Sequence, residues 1–146
     1  MIQTAVEIGP KRQIEEKPNA AADRISTDFM ELLENQFPVA DQNYMLKLRS
    51  ASDFAQKLNI HVNHLNRSLK AILNKSTSII IKDRMMAEAK RLLGQTDWSV
   101  SEIAYCLGFT EVTHFNNFFQ KGIGMNPSRF RKSLSENSEF KLGHNQ

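Results

Sequence analysis

The sequence predicts an all-α fold of about seven helices. Apolar residues recur at helical spacing along most of its 146 residues. Two pairs, Ser50 with Asp53 and Ser99 with Glu102, have the spacing of a capping box at the start of a helix. No stretch shows a convincing strand pattern. With 40% hydrophobic and 24% charged residues, the chain can form a packed core without disulfides or a metal ion.

The first half of the chain opens with a polar arm and continues with three predicted helices. Residues 1–24 contain two prolines and a run of charges, so we expect a linker or a disordered arm there. Thr27 is a candidate cap for the first helix, and Asn74 can adopt the left-handed conformation that ends the third. The three helices are expected to run from Thr27 to Pro38, from Ser50 to Asn59, and from about His61 to Leu73.

Four more helices are predicted in the second half. Residues 77–94 have the longest helical pattern, with an apolar face and a stop at Gly94. The apolar face consists of Ile81, Met85, Ala89 and Leu92. The other helices are expected from Ser99 to Gly108, from a cap at Thr110 over residues 111–121, and from Pro127 through Leu134.

The chain contains an internal repeat in which a short helix, a tight turn and a longer helix occur twice. Phe54-Ala55 and Leu58-Asn59-Ile60 match Ile103-Ala104 and Leu107-Gly108-Phe109 at an offset of 49 residues. After one inserted residue, Val62, His64-Leu65-Asn66 and Leu69 match Val112, His114-Phe115-Asn116 and Phe119 at an offset of 50. This pattern is typical of two copies of a helix-turn-helix unit.

The longer helix of each copy has one apolar face and one polar face that is poor in acidic residues. Asn and Arg are side chains that pair with base edges, and Asn is a mediocre helix former with no evident structural benefit here. The polar faces consist of Asn63, Asn66, Arg67 and Lys70 in the first copy and of Thr113, Asn116, Asn117 and Gln120 in the second. Together with the repeat, these faces favour DNA readout over an ordinary solvated surface.

The net charge of +3 conceals an uneven distribution along the chain. Residues 1–43 carry eight acidic and four basic residues, whereas residues 44–132 carry fourteen basic and six acidic ones. Such a basic stretch favours a polyanionic partner, because Lys and Arg displace condensed counterions from phosphates. Basic surfaces are common, however, so charge alone does not decide between nucleic acid and a solvated helical surface.

Two sets of residues resemble a known family signature in their order and spacing. In the second half these are Ala89 to Leu93, Ser99 to Ala104, Gly108-Phe109, Phe115 with Phe119, and Gly124 to Arg131. In the first half they are Ala55, Leu58, His64 to Arg67, Lys70 and Arg84. Over roughly residues 50–132, the chain therefore resembles the DNA-binding domain of the AraC/XylS family of bacterial transcription regulators.

The resemblance implies two homeodomain-like helix-turn-helix subdomains that read successive major grooves, about one helical turn or roughly 34 Å apart. It implies a DNA-binding domain over 25–135, divided into subdomains 25–76 and 96–135 with a linker helix over 77–95, and a tail over 136–146. By the family pattern, the base-reading residues are Asn63, Asn66, Arg67, Val112, Thr113, Asn116 and Asn117. Contacts to DNA phosphates are implied for Lys70, Arg84, Lys121 and Arg131.

The implied function is sequence-specific binding of double-stranded DNA by a transcriptional regulator, and the family favours activation through contact with RNA polymerase. Asn117 and Gln120 stand where the family has Arg and Lys, which predicts weaker DNA binding by the second unit. About 24 residues precede the first helix, too few for an effector-sensing domain. We expect a fragment of a longer regulator, with a single-domain protein as the alternative, and any effector to bind a domain outside this chain.

Two other classes of function fit the sequence less well. An enzyme would need a feature such as a Gly-rich phosphate loop, a nucleophile elbow or a His-Glu-x-x-His motif. A helical protein-binding module would be expected to expose aromatic or Met anchors, whereas the Phe residues fall on the inward faces, with Phe118 the ambiguous case.

No cofactor is expected either. His61 and His64 are three residues apart on a helix, but a third metal ligand is not nearby. The single Cys106 is expected to be a packed thiol, which suits a reducing interior. Because the sequence has no signal peptide or membrane span, we expect a cytoplasmic, nucleoid-associated protein.

Overall fold

The computed structural model describes residues 19–144, with side chains to residue 137, and this part of the chain forms seven α-helices and no β-strand. The helices are α1 (Ala20–Glu34), α2 (Ala51–Leu58), α3 (Val62–Leu73), α4 (Thr77–Gln95), α5 (Val100–Cys106), α6 (Val112–Ile123) and α7 (Pro127–His144). The predicted all-α class and the number of helices are confirmed. Within the described residues, none of these helices combines the length and the apolar character needed to cross a bilayer.

Several helix ends are set by the caps that the sequence predicts. In α2 and α5 the N-cap serine, Ser50 or Ser99, accepts a hydrogen bond from the backbone N–H of the third helical residue. The carboxylate of that third residue accepts one from the N-cap backbone in return. Asn74 ends α3 in the left-handed conformation, with a φ of 57°. Both capping boxes and the left-handed stop are therefore confirmed.

The first helix begins earlier than the sequence suggested. α1 starts at Ala20, so Thr27 lies inside it and does not cap it, and α1 ends at Glu34, before Pro38. Three consecutive alanines at its start explain the difference, because Ala has the highest helix propensity. The predicted arm thus overlaps α1 at residues 20–24, and its residues 1–18 lie outside the described residues.

Two later boundaries also differ from the predictions. The N-cap of α6 is Glu111 and not Thr110, and the Glu111 side chain makes no capping hydrogen bond. α7 continues from Pro127 to His144, so the predicted tail from residue 136 begins inside a helix. Helix boundaries of this kind depend on local backbone conformation that apolar periodicity does not encode.

The described residues form two compact units. The first unit contains α1 up to Leu33, then α2, α3 and the start of α4 as far as Ile80. The second contains the connection over residues 34–49, the part of α4 from Ile81 onward, and α5 to α7. The sequence had placed this connection within the first subdomain, over residues 25–76.

Hydrogen bonds explain why the connection groups with the second unit. The backbone N–H of Leu46 donates to the carbonyl of Cys106 over 2.8 Å. The Arg49 guanidinium donates through Nε to the carbonyl of Leu107 over 3.0 Å. Its cation also stacks on the Phe109 ring, 4.7 Å from the centroid. These partners lie more than fifty residues away in the sequence, beyond the reach of local pattern reading.

A buried carboxylate on α4 also holds the connection. Glu88 is 1% exposed, and its Oε2 accepts hydrogen bonds of 2.7 Å from the Val39 backbone N–H and from Arg91 Nη2. Arg84 lies 3.5 Å from the other carboxylate oxygen. Burial raises the pKa of Glu88, but the bonds from Arg91 and Val39 and the charges of Arg91 and Arg84 outweigh burial and lower it below its ordinary value.

Each unit has an apolar core of its own. In the first unit, the fully buried rings of Phe29 and Phe54 meet edge to face with centroids 4.9 Å apart. In the second, the buried side chains include Leu92, Ile103, Leu107, Phe115 and Phe119. The predicted apolar face of the long helix is buried as expected, since Ile81, Met85, Ala89 and Leu92 are at most 4% exposed. Both units therefore have fixed frames on which outward side chains can be positioned.

Candidate nucleic-acid interface

The turn between the two helices of the repeat has the same backbone bonding in both units. In the first, the Ile60 N–H donates to the carbonyl of Ala55 over 3.0 Å. In the second, the Phe109 N–H donates to the carbonyl of Ala104 over 2.9 Å. The turn residue before each donor has a positive φ, 59° at Asn59 and 88° at Gly108. The helix-turn-helix repeat predicted from the sequence is therefore present as a repeated geometry.

Gly108 illustrates why the two turns differ in sequence. A Cβ atom at this position would collide with the Arg49 side chain, so the turn needs glycine for space as well as for its φ. Asn59 fills the same place in the first unit, where the left-handed conformation is tolerated by an Asn side chain.

The repeat extends one helix beyond the part that the sequence revealed. α3 and α6 end at left-handed residues fifty positions apart, Asn74 and Gly124. The next helix then starts on a side-chain cap, as Ser76 Oγ accepts from the Ile79 N–H and Asn126 Oδ1 accepts from the Arg129 N–H. Sequence reading missed this extension because different residue types perform the same backbone function.

The polar face of α3 is exposed to solvent. Leu65, Ser68 and Leu69 form its buried side. The four predicted polar residues all lie on the exposed side, namely Asn63, Asn66, Arg67 and Lys70. α3 therefore presents one amide- and cation-bearing face while its apolar face anchors it in the first unit.

The corresponding face of α6 is exposed in the same way, with one exception. Phe115 and Phe119 are fully buried, while Thr113, Asn117 and Gln120 are exposed and Asn116 is half-buried. Val112 is 36% exposed and Lys121 is exposed as well. Phe118, which the sequence left ambiguous, is half-buried, and the centroid of its ring lies 5.4 Å from that of Phe109. No aromatic anchor of the kind that a protein-binding module would need lies on this face of the described helix.

One predicted base-reading residue has a structural partner. The carbonyl oxygen of Asn66 accepts a 2.7 Å hydrogen bond from the Thr77 hydroxyl at the start of α4, and Thr77 is 1% exposed. Beside this bond is an open groove of about 700 Å³ on the first unit. Its lining includes Asn66, Arg67, Lys70, Ser76, Thr77 and Ser78. Asn66 thus links the polar face of α3 to the start of α4.

The predicted phosphate-binding residues fall into two groups. Lys70 and Lys121 are exposed, and within residues 19–137 neither side chain makes a hydrogen bond or an ion pair. Arg84, by contrast, pairs with Glu34 at 2.9 Å and lies 4.1 Å from the centre of the Phe37 ring. Arg131 donates through Nε to the carbonyl of Leu93 and through Nη2 to that of Thr96, at 2.9 and 3.3 Å.

These contacts give Arg84 and Arg131 structural partners that the sequence did not predict. Arg131 uses its Nε and Nη2 in these bonds and Arg84 its Nε, so part of each guanidinium has an internal partner. Arg131 binds carbonyls at and just beyond the C-terminal end of α4, where a cation also suits the helix dipole. Both residues support the second unit through these bonds, and their phosphate contacts stay predictions.

His61 and Cys106 have local structural roles. His61 is the N-cap of α3, and its Nδ1 accepts a 3.1 Å hydrogen bond from the Asn63 N–H. Cys106 is buried, and its thiol lies 3.5 Å from the carbonyl oxygen of Gln42. Burial and the nearby charges of Asp41 and Glu102 raise the pKa of this thiol. The described residues contain no group of three His, Cys, Asp or Glu side chains that could hold a metal ion.

Comparisons with known proteins identify the family to which the chain belongs. A family model described as a helix-turn-helix domain matches residues 54–133, more than half of the chain. The chain belongs to the AraC-type helix-turn-helix family. Membership in this family assigns the AraC-type domain to DNA-binding transcriptional regulation.

Relatives of this AraC-type domain include larger proteins. The Msm operon regulatory protein of Streptococcus mutans is 28% identical over 128 residues, which is 85% of this chain and 44% of that protein. The xylose operon regulatory protein of Haemophilus influenzae is 34% identical over 68 residues, 47% of this chain and 18% of that protein. The chain thus spans less than half the length of these curated relatives.

Among solved structures, an AraC-type transcriptional regulator from Chromobacterium violaceum has the same fold. It matches with a TM-score of 0.60 and 22% identity, covering 79% of this chain and 96% of that one. Its similarity supports the seven-helix architecture of the AraC-type domain.

Proposed function

We propose that this chain binds double-stranded DNA sequence-specifically, and that each unit inserts its second helix-turn-helix helix, α3 or α6, into a major groove. The observation that carries the proposal is the repeated helix-turn-helix geometry, in which both helices present polar, acid-poor faces to solvent. Such a helix fits the major groove and places Asn, Thr and Arg side chains within reach of base edges.

The proposed base-reading residues follow from these exposed faces. They are Asn63, Asn66 and Arg67 on α3 and Val112, Thr113, Asn116 and Asn117 on α6. Lys70 and Lys121 are proposed to contact phosphates, since each is an exposed cation on the same helix as the reading residues. Asn66 has the added function of supporting α4 through Thr77.

We further propose that the two units bind successive major grooves and that the protein activates transcription through contact with RNA polymerase. The internal repeat supports the first part, because two copies of one binding unit in one chain suit two half-sites. An effector would bind a domain outside this chain, and the protein would act in the cytoplasm at the nucleoid. The proposals on activation, the effector and location rest on what is typical of the family.

Selection of bound sites from a random DNA pool tests the proposal directly. We expect enrichment of a specific site whose binding weakens steeply with salt, because each neutralised phosphate contributes about −0.9 to the logarithmic slope. A pool that shows no enrichment, or binding that is insensitive to salt, would contradict DNA recognition by this chain.

Arg67→Ala then tests the reading face. The variant is expected to lose about 1–3 kcal/mol of binding free energy and to relax the preference at one base position. Arg24→Ala is the matched control, since Arg24 is exposed on α1, away from α3 in sequence, and should bind as the unsubstituted protein does. Fluorescence anisotropy with the selected site measures both, and an unchanged Kd for Arg67→Ala would remove Arg67 from the reading face.

A further inference from the structure

The two reading faces differ in chemistry at equivalent positions. The repeat offset of fifty residues aligns Arg67 with Asn117 and Lys70 with Gln120. Both members of each pair are exposed, so the difference concerns groups that solvent and a ligand can reach. The two units have the same helix-turn-helix geometry, yet they present different hydrogen-bonding groups.

The face of α3 is suited to guanine. Arg67 is exposed, and within residues 19–137 its guanidinium makes no hydrogen bond or ion pair, unlike that of Arg84 or Arg131. Its forked N–H donors match the two acceptors, O6 and N7, that guanine presents in the major groove. This side chain is therefore free to make the commonest specific contact between a protein and a base.

Asn63 is better placed than Asn66 to read adenine on the same helix. Adenine recognition uses both ends of an amide, because the NH₂ group donates to N7 while the carbonyl accepts from N6. The Asn66 carbonyl already accepts from the Thr77 hydroxyl over 2.7 Å, which fixes the orientation of its amide. Asn63 is exposed, and its side chain is in no hydrogen bond within the described residues.

The face of α6 is suited to A·T pairs. Asn117 is exposed and offers the amide that pairs with adenine. Val112, 36% exposed at the first helical position, offers an apolar surface for a thymine methyl group. No arginine occurs within α6, so the residue type that usually recognises guanine is absent from this helix.

The two helices also differ in charge, and α3 is the more basic of the two. α3 carries Arg67 and Lys70 and no acidic residue. α6 carries Lys121 alone, and its N-cap is the exposed Glu111, whose carboxylate is not used in capping. Counting the N-cap Glu111, the segment 111–123 therefore has no net charge from Lys, Arg, Asp and Glu, whereas α3 has a charge of +2.

From these differences we infer that the units read half-sites of different composition: the first reads a guanine through Arg67, and the second reads an A·T-rich half-site through Asn117 and Val112. The first recognition helix also supplies more of the counterion release than the second. This inference rests on the proposed function, because it assigns bases to the same two faces.

Reciprocal substitutions test the base assignment, with site selection repeated for each variant of this chain. Arg67→Gln should replace the guanine in one half-site by adenine, because Gln pairs with adenine. Asn117→Arg should introduce guanine in the other half-site. Each change should shift the preference at its own base position by about 5- to 150-fold and leave the other half-site as it was. Both positions are exposed, and thermal melts check that the variants are folded.

Charge substitutions at Lys70 and Gln120, which occupy equivalent positions, test whether the first recognition helix supplies more of the counterion release. Lys70→Gln should flatten the logarithmic salt slope by about one unit, and Gln120→Lys should steepen it by a similar amount. Both variants should keep the selected sequence, since a phosphate contact does not read bases. An unchanged slope for Lys70→Gln would overturn the assignment of counterion release to α3.

The outcomes separate this inference from the proposed function. A specific site that Arg67→Gln leaves unchanged, or whose guanine responds to Asn117→Arg and not to Arg67→Gln, would overturn the base assignment while DNA recognition stands. A pool without any enrichment for the unsubstituted protein would overturn both.

Discussion

The basic side chains of this protein differ in what surrounds them, and this decides what each can bind. Arg84, Arg91 and Arg131 have carboxylate or carbonyl partners within the second unit. Arg67 and Lys70 have none among the described residues and extend from α3 into solvent. Sequence spacing identified the second group, because exposure on a helix follows from periodicity. It did not predict the partners of Arg84 and Arg131 in other elements, which lie 35 to 50 residues away.

The buried Glu88 provides a test of these internal pairs. Glu88→Ala should lower the free energy of unfolding by about 2–4 kcal/mol, because the Val39 N–H and two arginines lose a common partner in a buried site. Glu34→Ala is the matched control. It removes the other, exposed carboxylate from Arg84 and should cost less than about 1 kcal/mol. Urea unfolding at pH 7 measures both, and equal losses would show that burial of Glu88 adds nothing.

The same carboxylate gives stability a dependence on pH. Because the pKa of Glu88 is lowered in the folded protein, its ionisation stabilises the fold above the ordinary value of 4.5. This contribution is lost as the pH falls through the lower folded pKa. The stability difference between the unsubstituted protein and Glu88→Gln should therefore shrink below pH 4.5, as unfolding curves over a pH series would measure. A difference that stays constant with acidification would contradict this linkage.

At the scale of the helices, the two units reach one geometry with different residues. Asn59 and Gly108 each lie in the turn, and Asn74 and Gly124 each end the second helix of a helix-turn-helix unit. The sequence predicted these features where the chemistry is local, as in the capping boxes and the Asn74 stop. It failed at the start of α6, where Thr110 has suitable cap chemistry but Glu111 holds the N-cap position. Cap identity depends on which residue leaves the helical conformation, and composition does not determine that.

The N-cap of α6 is therefore a position where stability can be gained. Glu111→Ser should add about 0.5–2 kcal/mol to the free energy of unfolding, because a serine hydroxyl at the N-cap accepts a hydrogen bond that Glu111 does not. Ser99→Ala, which removes the cap of α5, is the opposite control and should lose a similar amount. Thermal and urea unfolding measure both. A destabilised Glu111→Ser protein would indicate that the glutamate supports the start of α6 in another way.

At the scale of the whole chain, the sequence predicted two units of the same kind but not where they divide. Local similarity revealed both helix-turn-helix copies, because their spacing repeats at nearly constant offset. The connection over residues 34–49 was assigned to the first copy by its position in the chain. Its bonds to Cys106, Leu107 and Glu88 place it in the second, and such long-range pairing has no signature in local periodicity.

If both units bind DNA as proposed, they should bind a complete site by avidity. Once one unit is bound, the second meets its half-site at a high effective concentration, which can raise the overall affinity by about 10²- to 10⁴-fold. We therefore expect a duplex with one scrambled half-site to bind at least about a hundredfold more weakly than the complete selected site. The weaker loss should follow scrambling of the half-site read by α6, whose face carries fewer cations. Fluorescence anisotropy at fixed salt measures the Kd for each duplex, with a fully scrambled duplex as the nonspecific control. If one scrambled half-site leaves the Kd unchanged, only one unit reads DNA, and the other copy of the repeat has a different partner.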